Sequence, residues 1–144
     1  MIVSFLVPCT YAMDTGDRLP TFKIADQFAQ EHVLSADTRT IIVASDKKTS
    51  EIVRAYLLAK EKEFLEKKSA YYLADISGMP GFIADMFALP KMKECPFPIL
   101  LVDEEQTKTF LKKDAHITVY TIENGRVLSV AYIKTKEELA AIFE

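Results

Sequence analysis

Thiols and imidazoles are scarce in this 144-residue chain. Its two cysteines, Cys9 and Cys95, lie far apart in unlike surroundings, so there is no CxxC pair and no Cys/His spacing that suits zinc. His32 and His116 are the only histidines, which excludes a histidine-rich metal site. Glycine is sparse as well: four residues, none forming a GxGxxG run after a strand, leave a flavin or nicotinamide site without support. A dominant charge is missing too. The net charge is −3, and the lysine pairs Lys47–Lys48 and Lys67–Lys68 have acids close by. That balance gives no electrostatic case for nucleic acid or an anionic membrane, and the pairs read as solvated faces. No apolar run is long enough to span a bilayer. Met79, Met86 and Met92 recur through the middle of the chain, but no histidine accompanies them and Pro80 and Pro90 interrupt the segment. Packing explains them better than copper binding. No metal and no cofactor is expected.

What is present is ordinary globular material. Residues 13–144 are enough for one domain with a sizeable core and no staples. Residues 1–12, MIVSFLVPCTYA, are apolar and end with Thr10 and Ala12 at the positions signal peptidase favours. The run is short and lacks a positive start, which fits the tail of a longer signal peptide whose start codon is placed too late. The expectation is an exported, periplasmic protein; the alternative is the N-terminal strand of a cytoplasmic one. Proline before Cys9 argues against lipidation. Loss of Cys9 with a leader would leave one thiol and no internal disulfide.

Further on, Phe22 and Ile24 alternate with polar residues, and the chain turns and returns through Val33 and Leu34 as a short hairpin. Ile41 to Ala44 is a continuous apolar run, suited to a central strand covered on both faces. It passes directly into a long helix, with Thr49 as the expected N-cap and Val53, Tyr56, Leu57 and Phe64 on one face. Its polar end, residues 60–68, faces water. Tyr71 to Ile76 is a second strand. Pro80 starts a helix over Phe82 to Ala88 that packs on the sheet, and Pro90 ends it. Ile99 to Val102 is a third buried strand, followed by a short helix within Asp103 to Lys113. Asn124-Gly125 between two alternating runs signals a tight hairpin. Thr135 and Glu138 form a capping box that opens a last helix burying Leu139, Ile142 and Phe143. The order implies an α/β fold: a mixed central sheet with an N-terminal hairpin and helices on both faces.

That order resembles the thioredoxin-like superfamily, and several segments resemble its redoxin side, the AhpC/TSA-type peroxiredoxins and TlpA-like proteins. Gly16 to Gln27, GDRLPTFKIADQ, resembles the entry motif before the first hairpin. Phe97 to Asp103, FPILLVD, resembles the strand that peroxiredoxins insert before their last hairpin, and Ile117 to Val127, ITVYTIENGRV, is similar to that hairpin. The exported YtfJ-type proteins look closest, through Phe97–Asp103 and Ile117–Phe143. The resemblance implies a three-layer thioredoxin-like fold over most of the chain.

The departures from that family bear on function. Its reactive cysteine would sit at the strand–helix junction, where this chain has Asp46, Lys47, Lys48, Thr49 and Ser50. A helix N-terminus favours a thiolate, which is the physical reason for that placement. The hydroxyls of Thr49 and Ser50 stay protonated at neutral pH and cannot replace it. The family's proline before the last hairpin is also absent; Ala115 and His116 stand there. The expectation is a redox-inactive protein with a binding or accessory role. Asp46, Lys47, Lys48, Thr49, Ser50 and His116 form the candidate site, able to hold an anion or carboxylate at free helix N–H groups. Against this, Thr49 can simply cap, Ser50 be solvated and His116 be an ordinary residue before a strand. The unknown partner is a protein or small ligand, or a second copy in a homodimer. The alternative function is a thiol-dependent oxidoreductase that uses Cys95 with a partner's cysteine, although neighbouring Glu94 would raise the Cys95 pKa.

Overall fold

A computed structural model describes residues 12–83, 86 and 88–143, apart from the side chain of Phe22. Cys9 and all but the last residue of the expected leader remnant lie outside the described residues. A two-stranded hairpin, β1 (Phe22–Ala25) and β2 (Glu31–Leu34), precedes the main sheet. The sheet is built from β3 (Thr40–Ala44), β4 (Ala70–Asp75), β5 (Leu100–Val102), β6 (Ile117–Glu123) and β7 (Arg126–Ile133), in the order β5-β4-β3-β6-β7. β3, β4 and β5 run parallel, whereas β6 and β7 are antiparallel, so the sheet is mixed, as expected.

β3 shows why a run without polar residues belongs at the centre. Its five residues are all buried. Ile42 and Ala44 point into one apolar layer, with Val53, Tyr72, Val119 and Leu139. Ile41 and Val43 point into the other, with Ile24, Leu34, Tyr120 and Phe110. The first layer is roofed by α1 (Lys47–Leu58), α2 (Phe64–Lys67) and α5 (Lys136–Ile142). The second is roofed by the hairpin, the segment around Met13 and Leu19, and Phe110, which follows the 3-10 turn Gln106–Thr109. At the β6–β7 turn Asn124 and Gly125 both have positive φ, 52° and 78°, which gives the tight turn its hand. The capping box at Thr135 forms, with Glu138 N–H donating to the Thr135 hydroxyl at 3.1 Å.

Five local expectations are corrected. Asp46, not Thr49, is the N-cap of α1; Thr49 is its third residue and completes a capping box. The aspartate carboxylate reaches the orphan N–H better than a hydroxyl one turn later. The long helix ends at Leu58, because residues 59–63, AKEKE, are all exposed and supply no large apolar side chain to pack. The chain restarts as α2, and its Phe64 stacks edge-on with Tyr56 and Phe143, ring centroids 5.9 and 5.1 Å away. Pro90 does not end a helix. It sits in the first turn of a new one, α4 (Leu89–Met92), where its missing N–H costs nothing. Before it, α3 covers Gly81–Ile83. Phe82 and Met86 are 64% and 66% exposed, so these two side chains do not pack on the sheet. The short helix expected within Asp103 to Lys113 is reduced to the 3-10 turn.

Gln27 ties the hairpin to the stretch before β5. Its buried amide donates to the carbonyls of Met92 and Phe97 at 3.1 and 2.9 Å, and its Oε1 accepts from Ile99 N–H at 2.7 Å. This clamp holds residues 92–99 against the sheet and so shapes one wall of the cleft described next. No helix among the described residues is long and apolar enough to cross a membrane.

Candidate functional site

Open α/β sheets present ligands at the carboxyl ends of their parallel strands. Here β3 and β4 end side by side, and beyond them lies a cleft of about 320 Å3. Its α1 wall carries Asp46, Lys47, Ser50, Glu51 and Arg54, residues three and four apart and therefore on one helical face. The opposite helical face, Thr49, Val53, Tyr56 and Leu57, is buried. The end of β4 adds Tyr72, Ala74, Asp75 and Ile76, and the rim is Met79, Ile83, Lys91, Met92 and Ile99.

The polar groups of the cleft are largely engaged with each other. Asp46 Oδ1 accepts from Thr49 N–H and from the Thr49 hydroxyl, both at 2.8 Å. Tyr72 is fully buried; burial pushes its hydroxyl up to about 12, against a hydrogen bond with Ser50 that lowers it. Asp75 accepts from the Thr107 hydroxyl at 2.6 Å, from Lys112 Nζ at 2.9 Å and from Ser77 N–H at 2.9 Å. Burial raises its pKa, but these hydrogen bonds outweigh it and hold the carboxyl below the ordinary value. Lys112 also meets the Thr107 hydroxyl, closing a small network.

The candidate residues do not all converge. Asp46, Lys47 and Ser50 line the cleft. Thr49 is buried and consumed by the cap, and Lys48 is exposed outside the lining. Ser50 is not fully solvated, being half-buried in the cleft wall. The N–H groups of Lys47 and Lys48 have no acceptor among the described residues, as first-turn donors do unless something external meets them. His116 is not part of the lining. Its Nδ1 donates to the Asp114 carbonyl at 2.8 Å, and its charge is felt by Glu138 at the start of α5. Ala115 before it has φ 63°, a left-handed conformation that few non-glycine residues adopt.

Cys95 is 4% exposed and belongs to the apolar layer that holds Val53, Tyr56 and Tyr72. It thus packs against the α1 side of the sheet, closer to that helix than its place in the chain suggests, but it is absent from the cleft lining. Burial pushes its thiol up, Arg54 pulls the other way, and Glu94 adds to the rise. The net effect is a thiol above its ordinary value, the opposite of an activated nucleophile.

Sequence reasoning missed Arg54, Tyr72, Asp75 and Lys91. Arg54 was within reach of it, four residues after Ser50 on the same helix. Tyr72 and Asp75 needed the β3–β4 pairing, which sets Ile42 beside Tyr72 and Ala44 beside Ala74. Lys91 needed the path of residues 76–92 over the strand ends.

No family model matches the sequence, and no curated protein resembles it significantly. Solved structures do resemble it. Peroxidoxin BcpB from Mycobacterium tuberculosis is 20% identical with a TM-score of 0.55, covering 91% of this chain and 94% of that one. The thioredoxin domain of a thiol-disulfide oxidoreductase from Bacteroides vulgatus is 11% identical, with a TM-score of 0.54 and coverage of 92% and 100%. StoA from Bacillus subtilis is 12% identical, with a TM-score of 0.58 and coverage of 87% and 97%. The fold is thioredoxin-like, an α/β arrangement around a mixed five-stranded sheet.

Proposed function

We propose that this protein is a thioredoxin-like binding protein that does not perform thiol–disulfide exchange and that uses the cleft beside α1 for a ligand. The observation that carries the reading is the content of the β3–α1 junction. Thiol chemistry needs a sulfur that the first-turn N–H groups can stabilise as thiolate. The junction offers instead two hydroxyls, Thr49, which is committed to the Asp46 cap, and Ser50, which lines the cleft. Neither has a base to take its proton: Asp46 is spent on capping, and His116 lies outside the cleft lining. The remaining thiol of the described residues, Cys95, is buried with a raised pKa.

The same reading puts the protein in an exported compartment, in keeping with the apolar residues 1–12, and closest in kind to the YtfJ-type proteins through Phe97–Asp103 and Ile117–Phe143. Sequencing the mature N-terminus from native cells tests the export.

Insulin reduction in dithiothreitol and consumption of hydrogen peroxide test the function. The expected result is no rate above the reductant alone, for both the wild type and Cys95→Ser. Activity in the wild type that vanishes in Cys95→Ser would overturn the proposal and favour the oxidoreductase that pairs Cys95 with a partner's cysteine.

A further inference from the structure

We infer that the cleft beside α1 takes a small aliphatic monocarboxylate, with its carboxylate against Arg54 and its hydrocarbon body against Ile76, Met79, Met92 and Ile99. The inference rests on the reading of this cleft as a ligand site and names what enters it.

The charge balance of the walls sets the sign of the ligand. Three cations reach the cleft, Lys47, Arg54 and Lys91, and none has an ion-pair partner among the described residues. Of the three acids, Asp46 is occupied by the α1 cap and Asp75 by Lys112 and Thr107. With Asp75 cancelled by Lys112, Asp46 and Glu51 stand against three cations, a surplus of one positive charge, so one negative charge is welcome. The acids close at hand make a doubly charged group such as a phosphate ester less so.

Arg54 is the natural anchor. It is half-buried, lines the cleft on the α1 wall and has no ion-pair partner among the described residues. A planar guanidinium matches the two oxygens of a carboxylate. Ser50 supplies a further donor. Ser50 lines the cleft and its hydroxyl can donate to an outside acceptor.

The apolar rim and the volume set the rest. Ile76, Met79, Ile83, Met92 and Ile99 contribute hydrocarbon or thioether surface, which suits an unbranched chain. A cleft of about 320 Å3 lies at the small end of the range for small-molecule sites, too small for a dinucleotide or flavin.

The test is a titration of the full chain with sodium octanoate at pH 7, followed by amide chemical shifts in NMR. 1-Octanol and octyltrimethylammonium serve as neutral and cationic comparators. The expected result is saturable octanoate binding that moves the amides of Ser50, Arg54, Ile76 and Met92, with octanol about tenfold weaker and the cation not bound. Arg54→Gln should weaken octanoate about tenfold, Arg54→Lys less, and Lys60→Gln not at all. Lack of saturation, shifts confined to other regions, octanol binding as tightly as octanoate, or an Arg54→Gln variant that keeps full affinity would each overturn the inference. Redox activity alongside octanoate binding would refute the non-redox reading and leave this one standing. A redox-inactive protein that ignores octanoate would refute this one alone.

Discussion

Gln27→Ala is the change that most directly probes how the cleft wall is held. The Gln27 side chain is buried at 2% exposure and makes three hydrogen bonds to backbone groups of residues 92–99. Truncation removes all three and leaves Ile99 N–H and the Phe97 carbonyl, both in buried surroundings, without partners. Each orphaned group costs about 1–3 kcal/mol, so the expected loss is about 2–4 kcal/mol, allowing for some relaxation. Because these bonds fasten one segment, much of the cost should fall on local opening of residues 92–99. Cys95 lies inside that segment and reports on it. In a Cys9→Ser background, where Cys95 is the only thiol, a drop of about 2 kcal/mol in local opening free energy speeds thiol labelling about 30-fold. Urea unfolding followed by circular dichroism gives the global loss, and labelling with a chromogenic disulfide gives the local one. Gln106→Ala is the control, since that amide donates to the Lys23 carbonyl at 3.2 Å from an exposed position and should cost under about 0.5 kcal/mol. A Gln27→Ala loss below about 1 kcal/mol, or labelling within about threefold of the parent, would refute the argument that this amide is the clamp.

Three further perturbations follow from the same geometry. Burial raises the Asp26 pKa, but hydrogen bonds from His32 and from the N–H groups of Gln30 and Phe28 hold it below its ordinary 3.8. A depressed folded pKa gives stability that is present above the unfolded value and is lost as pH falls from there through the folded value. Urea unfolding should therefore show Asp26→Asn less stable at neutral pH and flatter below about pH 4 than the parent, with the residual acid slope left to Asp75 and Glu138. Equal slopes for parent and variant would sink this. Gly125→Ala should cost about 1 kcal/mol or more in thermal unfolding, because φ is 78° and the new Cβ would lie 3.3 Å from Ala36 Cβ; an unchanged melting temperature would contradict it. Iodoacetamide should modify Cys95 slowly in the folded protein, with a pH midpoint above the ordinary thiol value of 9.0. A midpoint near or below about pH 7.5 would mark an activated thiol and undo the account of Cys95.

Much of this molecule could be read from local chemistry. The unbroken run Ile41–Ala44 dictated a strand buried on both faces, Asn124-Gly125 dictated the tight turn between β6 and β7, and Thr135 with Glu138 dictated the start of α5. These signals are legible because each depends on residues adjacent in the chain, and because covering a strand on two sides demands apolar side chains at every position. Pairwise competition was less legible. Whether Asp46 or Thr49 caps α1, and whether the helix survives past Leu58, depended on small differences that packing decides. The cleft itself needed tertiary contact. Lys47, Ser50 and Arg54 share a face by helical geometry alone, but Tyr72, Asp75 and Lys91 reach them only through the β3–β4 register and the path of residues 76–92. Burial of Cys95 was equally out of reach, since a thiol in a proline-flanked stretch is sealed by an amide 68 positions earlier, Gln27, that binds on either side of it. Side-chain type fixes what a residue is able to do, whereas the neighbours brought to it from distant parts of the chain set its charge, its exposure and its partners.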